Sequence, residues 1–225
     1  MKYIIRRFFD RKSYERLLAF KDSDKKVFFD VEDCCGLEIE FAVTYERRSR
    51  TYIKTGLTKL KELVAGKGKF VKDNSIGAFL NVEIVLNPFP LSELKPLFED
   101  ICSIINFYDN FEFTDNCGVH ANFRADEELK KCFFEVLVND KYKNKTLLHS
   151  KYKKDFMQLA VNGDGSFKNY EEYREFQNKI GDKYCSVNFL KENLIEVRSL
   201  SLSWEDVEFF YDVYVEAKKL KKSLQ

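Results

Sequence analysis

Four short segments place groups capable of chemistry on one side of the chain and hydrocarbon on the other. In Gly36-Leu37-Glu38-Ile39-Glu40-Phe41, the carboxylates of Glu38 and Glu40 alternate with Leu37, Ile39 and Phe41. Asn81-Val82-Glu83-Ile84-Val85-Leu86 sets Glu83 against Val82, Ile84 and Leu86. Val119-His120-Ala121-Asn122-Phe123-Arg124 alternates throughout, and Ile195-Glu196-Val197-Arg198 opposes Glu196 and Arg198 to Ile195 and Val197. Side chains alternate across a β-strand, so each set falls on one face. A solvated antiparallel sheet produces such a face without any chemistry. The choice of residues points elsewhere, because 28 of the 38 basic residues are Lys and none of them lies on these faces. The faces carry four carboxylates, one of the two His, an Asn and two Arg. Converging carboxylates repel one another unless a cation joins them. Oxygen ligands with one imidazole suit Mg²⁺, with Mn²⁺ as the other candidate. Arg suits a phosphate. Together these are the parts of phosphoryl transfer.

The elements that must position these groups are legible as period. Strands are expected over Val27 to Val31, Gly36 to Val43, Phe79 to Leu86, Val119 to Arg124, Tyr184 to Asn188 and Leu194 to Leu200, each half-buried. Helical spacing joins Leu94, Leu97, Phe98, Ile101, Ile104, Ile105 and Tyr108, with Ser92 and Pro96 near the start. Ser203-Trp204-Glu205-Asp206 resembles a capping box opening a last helix through Val207, Phe210, Tyr211, Tyr214 and Ala217. Further helices are expected over Thr51 to Val64, Asp126 to Val138, Thr146 to Leu159 and Tyr170 to Ile180. Asn162-Gly163-Asp164-Gly165 reads as a turn between two of them. Strands split by amphipathic helices predict an α+β fold, a mainly antiparallel sheet with helices packed on one face.

The 225 residues suit a single domain, with residues 1 to about 26 as an extension ahead of the core. Apolar residues at 44% and charged residues at 33% exclude a disordered or a membrane composition. A formal charge of +1 argues against wrapping duplex nucleic acid. No apolar run is long enough for a bilayer helix or a signal peptide, so a cytoplasmic protein with reduced thiols is expected. The six Cys include no C-x-x-C pair, which removes the usual zinc spacing. Gly66-Lys67-Gly68-Lys69 lacks Walker spacing and reads as a turn into a strand. The basic cluster from Lys141 to Lys154, with His149 inside it, reads as a solvated surface. Cys117 with His120 as its base is a rival chemistry, acyl transfer through a thiol.

Taken in order, Gly36-Leu37-Glu38-Ile39-Glu40-Phe41, then Asp73-Asn74-Ser75 leading to Val82-Glu83-Ile84-Val85, then Cys117-Gly118-Val119-His120, then Asn188 and Ile195-Glu196-Val197-Arg198 resemble the motifs of the amidoligase family. The resemblance runs from Gly36 to the final helix. These enzymes are carboxylate–amine ligases with the catalytic fold of glutamine synthetase and glutamate–cysteine ligase. The resemblance implies a curved sheet of that type and an ATP- and Mg²⁺-dependent ligase that forms an amide through an acyl phosphate. It implies Glu38, Glu40, Glu83, His120 and Glu196 as metal ligands, and Arg198, His120 and Glu40 as catalytic groups. Arg124, Asn122, Asn188 and Arg198 would meet the nucleotide, and Asp73 or Ser75 the substrate. The partners would be a carboxylate and an amine, drawn from amino acids, peptides or proteins. Asn122 stands where many relatives carry a second His. The alternative is therefore a degenerate ligase fold that binds nucleotide or a protein partner.

Overall fold

The computed structural model describes residues 11–19, 33–45, 50–72, 78–114, 117–138, 169–180 and 186–225. The chain forms two compact units, Met1–Phe28 with Gly36–Gly118, and Phe29–Cys35 with Val119–Gln225.

In the first unit, β1 (Cys34–Val43), β2 (Gly68–Lys72) and β3 (Leu80–Leu86) are the strands that matter for the site. β1 and β2 each pair antiparallel with β3, and the short β4 (Phe89–Pro90) and β5 (Phe111–Glu112) both pair with β1. Its helices are α1 (11–18), α2 (Arg50–Val64) and α3 (Leu91–Phe107). Helix α2 buries Ile53, Leu57, Leu60 and Val64, and α3 buries Leu94, Leu97, Phe98, Ile101 and Ile105. Both sets recur at three and four residues, the spacing that gathers one helix face. Each such side chain contributes about 1.5–3 kcal/mol on full burial. Tyr14 and Leu18 of α1 are buried. Glu15 also pairs with Lys72 of β2 at 3.1 Å.

The second unit holds β6 (Val119–Arg124), β7 (Val187–Asn188) and β8 (Leu194–Leu200), with β8 paired antiparallel to both others. Its helices are α4 (Glu127–Val138), α5 (Tyr170–Ile180) and α6 (Trp204–Leu224). Asp126 Oδ1 caps α4 by accepting from the Leu129 N–H at 2.9 Å, and Asn169 Oδ1 caps α5 through the Glu172 N–H at 3.0 Å. Tyr214 of α6 stacks on Phe123 of β6 with ring centres 5.0 Å apart and donates to the Arg124 carbonyl. An aromatic cluster of Phe133, Phe134, Tyr170, Tyr173 and Phe189 joins α4 and α5 to the chain after β7.

Three expectations need correction. The strands are buried on both faces: every described residue of β3, and all of β1 except Glu40, is shielded from solvent. The alternation therefore marks a polar interior opposite an apolar one. Helix α3 begins at Leu91 behind Pro90, which leaves Pro96 inside the helix. Ser203 occupies the cap position of α6 but its side chain makes no capping bond. Asp206, three residues into the helix, turns back instead and accepts from the Ser201 N–H and hydroxyl. The expected strand over residues 27–31, the helix over 146–159, the turn over 162–165 and the basic cluster over 141–154 lie outside the described residues.

The fold places one tight constraint next to the candidate site. A Cβ on Gly68 would stand 2.5 Å from the Val85 carbonyl oxygen and 3.1 Å from Leu86 Cα, both backbone atoms of the paired strand. Gly68→Ala should therefore push β2 off β3 and destabilise the protein by about 1–3 kcal/mol, as overpacking does. Urea unfolding measures this, and an unchanged midpoint would show that β2 yields freely.

Candidate functional site

Each unit carries one polar strand face. In the first, Glu40 of β1 lies directly opposite Glu83 of β3, and Glu38 lies opposite Val85. Residues opposite in register share a face, so Glu38, Glu40 and Glu83 project together. Leu37, Ile39, Phe41, Val82 and Ile84 fill the other side, all fully buried. Glu38 and Glu83 are each only 3% exposed, and Glu40 is half-buried. Cross-strand partners hold their Cβ atoms about 5 Å apart, and like charges at that separation destabilise the pair. A divalent cation would convert that repulsion into attraction, and the donor set of carboxylate oxygens is the one Mg²⁺ or Mn²⁺ takes. The Glu40 backbone N–H donates to the Gly118 carbonyl at 2.9 Å, which fixes this part of β1.

The second unit is organised around Glu196, which is fully buried. The register sets it opposite Asn122 on β6 and opposite Asn188 on β7. Oε2 accepts from Asn188 Nδ2 at 3.0 Å and from Arg198 Nη1 at 3.3 Å. Oε1 accepts from Lys191 Nζ at 2.7 Å and lies 3.9 Å from His120 Nδ1. The pairing of β6 with β8 slips between Val119 and Ala121, where β8 carries one residue more than β6. This bulge falls at His120 and Arg198. Bulges of this kind re-aim side chains beside functional sites. Asn122 and His120 are buried, whereas Arg124 at the strand end is exposed.

The segment that presents Asn188 and Lys191 is tied down from three sides. Gln177 of α5 donates to the Val187 carbonyl at 2.6 Å and accepts from the Phe189 N–H at 3.2 Å. Tyr173 OH also donates to Val187. Lys130 of α4 is buried, and its ammonium donates to the Phe189 and Lys191 carbonyls at 3.0 and 2.6 Å. Burial holds the Lys130 ammonium below the usual lysine pKa range. The turn then closes at Asn193, whose φ of 54° is a left-handed conformation that Asn tolerates. Asn188 Oδ1 accepts from the Leu190 N–H, so its amide is spent on the segment and on Glu196.

One sequence expectation changes here. The strand faces do lack Lys, but Lys191 in the turn before β8 brings an ammonium to Glu196. Sequence reasoning misses Lys191 because a turn residue has no period; only its place three residues ahead of the Glu196 strand hints at it. Asn188, expected to meet the nucleotide, lies beside Glu196 and donates to its Oε2. Asp73 and Ser75 lie outside the described residues.

The thiol alternative weakens on electrostatic grounds. Cys34, Cys35, Cys102, Cys117 and Cys132 are all free and buried. Burial raises the pKa of Cys117, with Glu40 adding repulsion to the thiolate, and it pushes Cys102 up to about 12. Cys35 and Cys132 are raised by the same desolvation. A nucleophilic Cys needs the opposite surroundings.

Fold and sites together define an α+β protein with buried, carboxylate-bearing strand faces. No known family model matches the chain, and no curated protein matches it. Among solved structures it is similar to a cryo-EM structure of glutamine synthetase from Plasmodium falciparum, at 11% identity and a TM-score of 0.48. The match covers 96% of this chain and 56% of that one, so the chain spans little more than half of that protein. No helix among the described residues is long and apolar enough to cross a membrane.

Because these thiols are buried and held protonated, Cys35, Cys102, Cys117 and Cys132 should resist iodoacetamide at neutral pH and react on unfolding in urea. Mass spectrometry of the peptides resolves each position. Labelling of Cys117 within minutes in the folded protein would restore the thiol chemistry as a candidate.

Proposed function

We propose that this protein is an ATP- and divalent-metal-dependent carboxylate–amine ligase. The observation that supports it is the burial of Glu38, Glu83, His120 and Glu196 on polar strand faces where water would ordinarily be expected. Keeping carboxylates charged in such places requires cations or donors to meet them. Their order along the chain is also the order that resembles the amidoligase motifs.

In this reading Glu38, Glu40 and Glu83 of the first unit, and Glu196 and His120 of the second, would serve as metal ligands. Mg²⁺, or Mn²⁺ in its place, supplies neutralisation of the phosphate oxygens of ATP. Arg198 steadies the γ-phosphoryl group as charge redistributes, a role that suits a half-buried guanidinium. Arg124 and Asn122 bind the nucleotide, and Asp73 or Ser75 orients substrate. An oxygen of the substrate carboxylate attacks the γ-phosphorus and ADP leaves, giving an acyl phosphate. The amine nitrogen then attacks the acyl carbon and phosphate leaves. Glu40, the least buried of the acids, accepts the proton that the amine gives up. The acid and amine belong to the classes of amino acids, peptides or proteins.

One observation favours a second reading. The Lys191 ammonium already sits 2.7 Å from Glu196, which gives this carboxylate a counter-charge without any metal. A degenerate ligase fold that binds nucleotide or a protein partner would keep such a pair.

Glu38→Gln and Glu83→Gln preserve shape while removing charge. Each should lower ATP-dependent phosphate release by about 100-fold or more, as loss of a transition-state electrostatic contact does. Release is measured with pooled carboxylates and amines, and circular dichroism checks the fold. Full activity in both variants would end the ligase reading. Tight binding of ATP with no turnover in the native protein would select the second.

A further inference from the structure

We propose that Lys191 is a positioning residue that controls metal entry at Glu196, a tethered ammonium that a divalent ion must displace before Glu196 can serve as its ligand. This deepens the ligase reading and rests on it for Glu196 as a ligand. The two carboxylate oxygens of Glu196 have different partners. Oε2 is taken by Asn188 and Arg198 at 3.0 and 3.3 Å. Oε1 faces His120 Nδ1 at 3.9 Å, a separation that two ligand atoms of one metal can have, since metal–ligand distances are about 2.0–2.2 Å. An ion shared by His120 and Glu196 would therefore use Oε1. Lys191 Nζ holds that same oxygen at 2.7 Å.

Charge makes the two occupants exclusive. Glu196 has no exposed surface, and both Lys191 and Arg198 already pair with it. Adding a dication to that pair in a desolvated place is strongly opposed. Releasing Lys191 relieves it at little cost. Its side chain is 31% exposed and its flexible stem can carry the ammonium to water, whereas Arg198 is less exposed and its planar fork is less adaptable. The backbone need not move, because the Lys191 carbonyl stays bound to the buried Lys130 ammonium. Only the side chain swings.

The test uses Mn²⁺ alone, followed by the electron paramagnetic resonance of the free ion, on the full chain. Lys191→Met and Lys191→Gln should each bind Mn²⁺ about tenfold more tightly than the native protein, or bind one ion more, a change of the size second-shell substitutions cause. Lys191→Arg, which keeps the cation, should not. Adding Glu196→Gln to Lys191→Met should erase the gain, which a merely structural salt bridge would not predict. A second measurement needs no variant: acetylation of Lys191 in the native protein should accelerate when Mn²⁺ is added. Equal Mn²⁺ uptake with and without Lys191, together with unchanged acetylation, overturns this role. If Glu38→Gln still lowers that uptake, the ligase reading survives the loss. If no form of the protein takes up Mn²⁺, both fall.

Discussion

A carboxylate removed from water must be met by a positive charge or by several donors, or it will not remain a carboxylate. That requirement shapes both strand faces of this protein. Glu196 satisfies it with four neighbours drawn from three places in the sequence: His120 from β6, Asn188 from β7, and Lys191 and Arg198 from either side of its own strand position. Glu40 and Glu83 express the same requirement differently, as two acids held face to face by strand register. Neither arrangement adds to stability in the way an apolar core does. Each needs a framework stable enough to hold it.

The framework is ordinary packing used to support an unusual face. In the first unit, α2 and α3 each bury an apolar face, and the fully buried Leu37, Ile39 and Phe41 hold β1 so that Glu38 and Glu40 project to the opposite side. In the second, Lys130, Tyr173 and Gln177 reach from two helices to the backbone after β7. These bonds fix main-chain carbonyls and one N–H, so the segment carrying Asn188 and Lys191 arrives in a single conformation. The buried Lys130 ammonium is met by two backbone carbonyls and by Glu127 at 3.8 Å, the partners a buried charge needs.

Much of this was readable from alternation. Strands over Val119–Arg124 and Leu194–Leu200, and the helix over Tyr170–Ile180, fall where the period of two or of 3.6 placed them. The identity of the polar residues on each face was legible for the same reason. What alternation cannot express is coverage: a wet face and a buried polar face have the same pattern, and only tertiary packing separates them. The bulge at His120 was equally hidden, because an inserted residue in one strand appears only against its partner's register. Lys191 was missed because turns carry no period, and the capping box over Ser203–Asp206 forms only in part: Asp206 reaches backward, to Ser201, while the Ser203 side chain makes no cap bond. The two-residue β5 is too short to leave a signature, whereas β7 falls inside the strand expected over Tyr184 to Asn188.

The proposed role of these acidic faces is to hold a divalent ion with a nucleotide. Diffraction from crystals grown with Mn²⁺ and a non-hydrolysable ATP analogue, recorded at the manganese absorption edge, addresses it directly. The account predicts anomalous density coordinated by the carboxylates of Glu38, Glu83 or Glu196, with the triphosphate bound to the same ion. Manganese and nucleotide bound well away from all of these residues, or neither retained at saturating concentration, would contradict it.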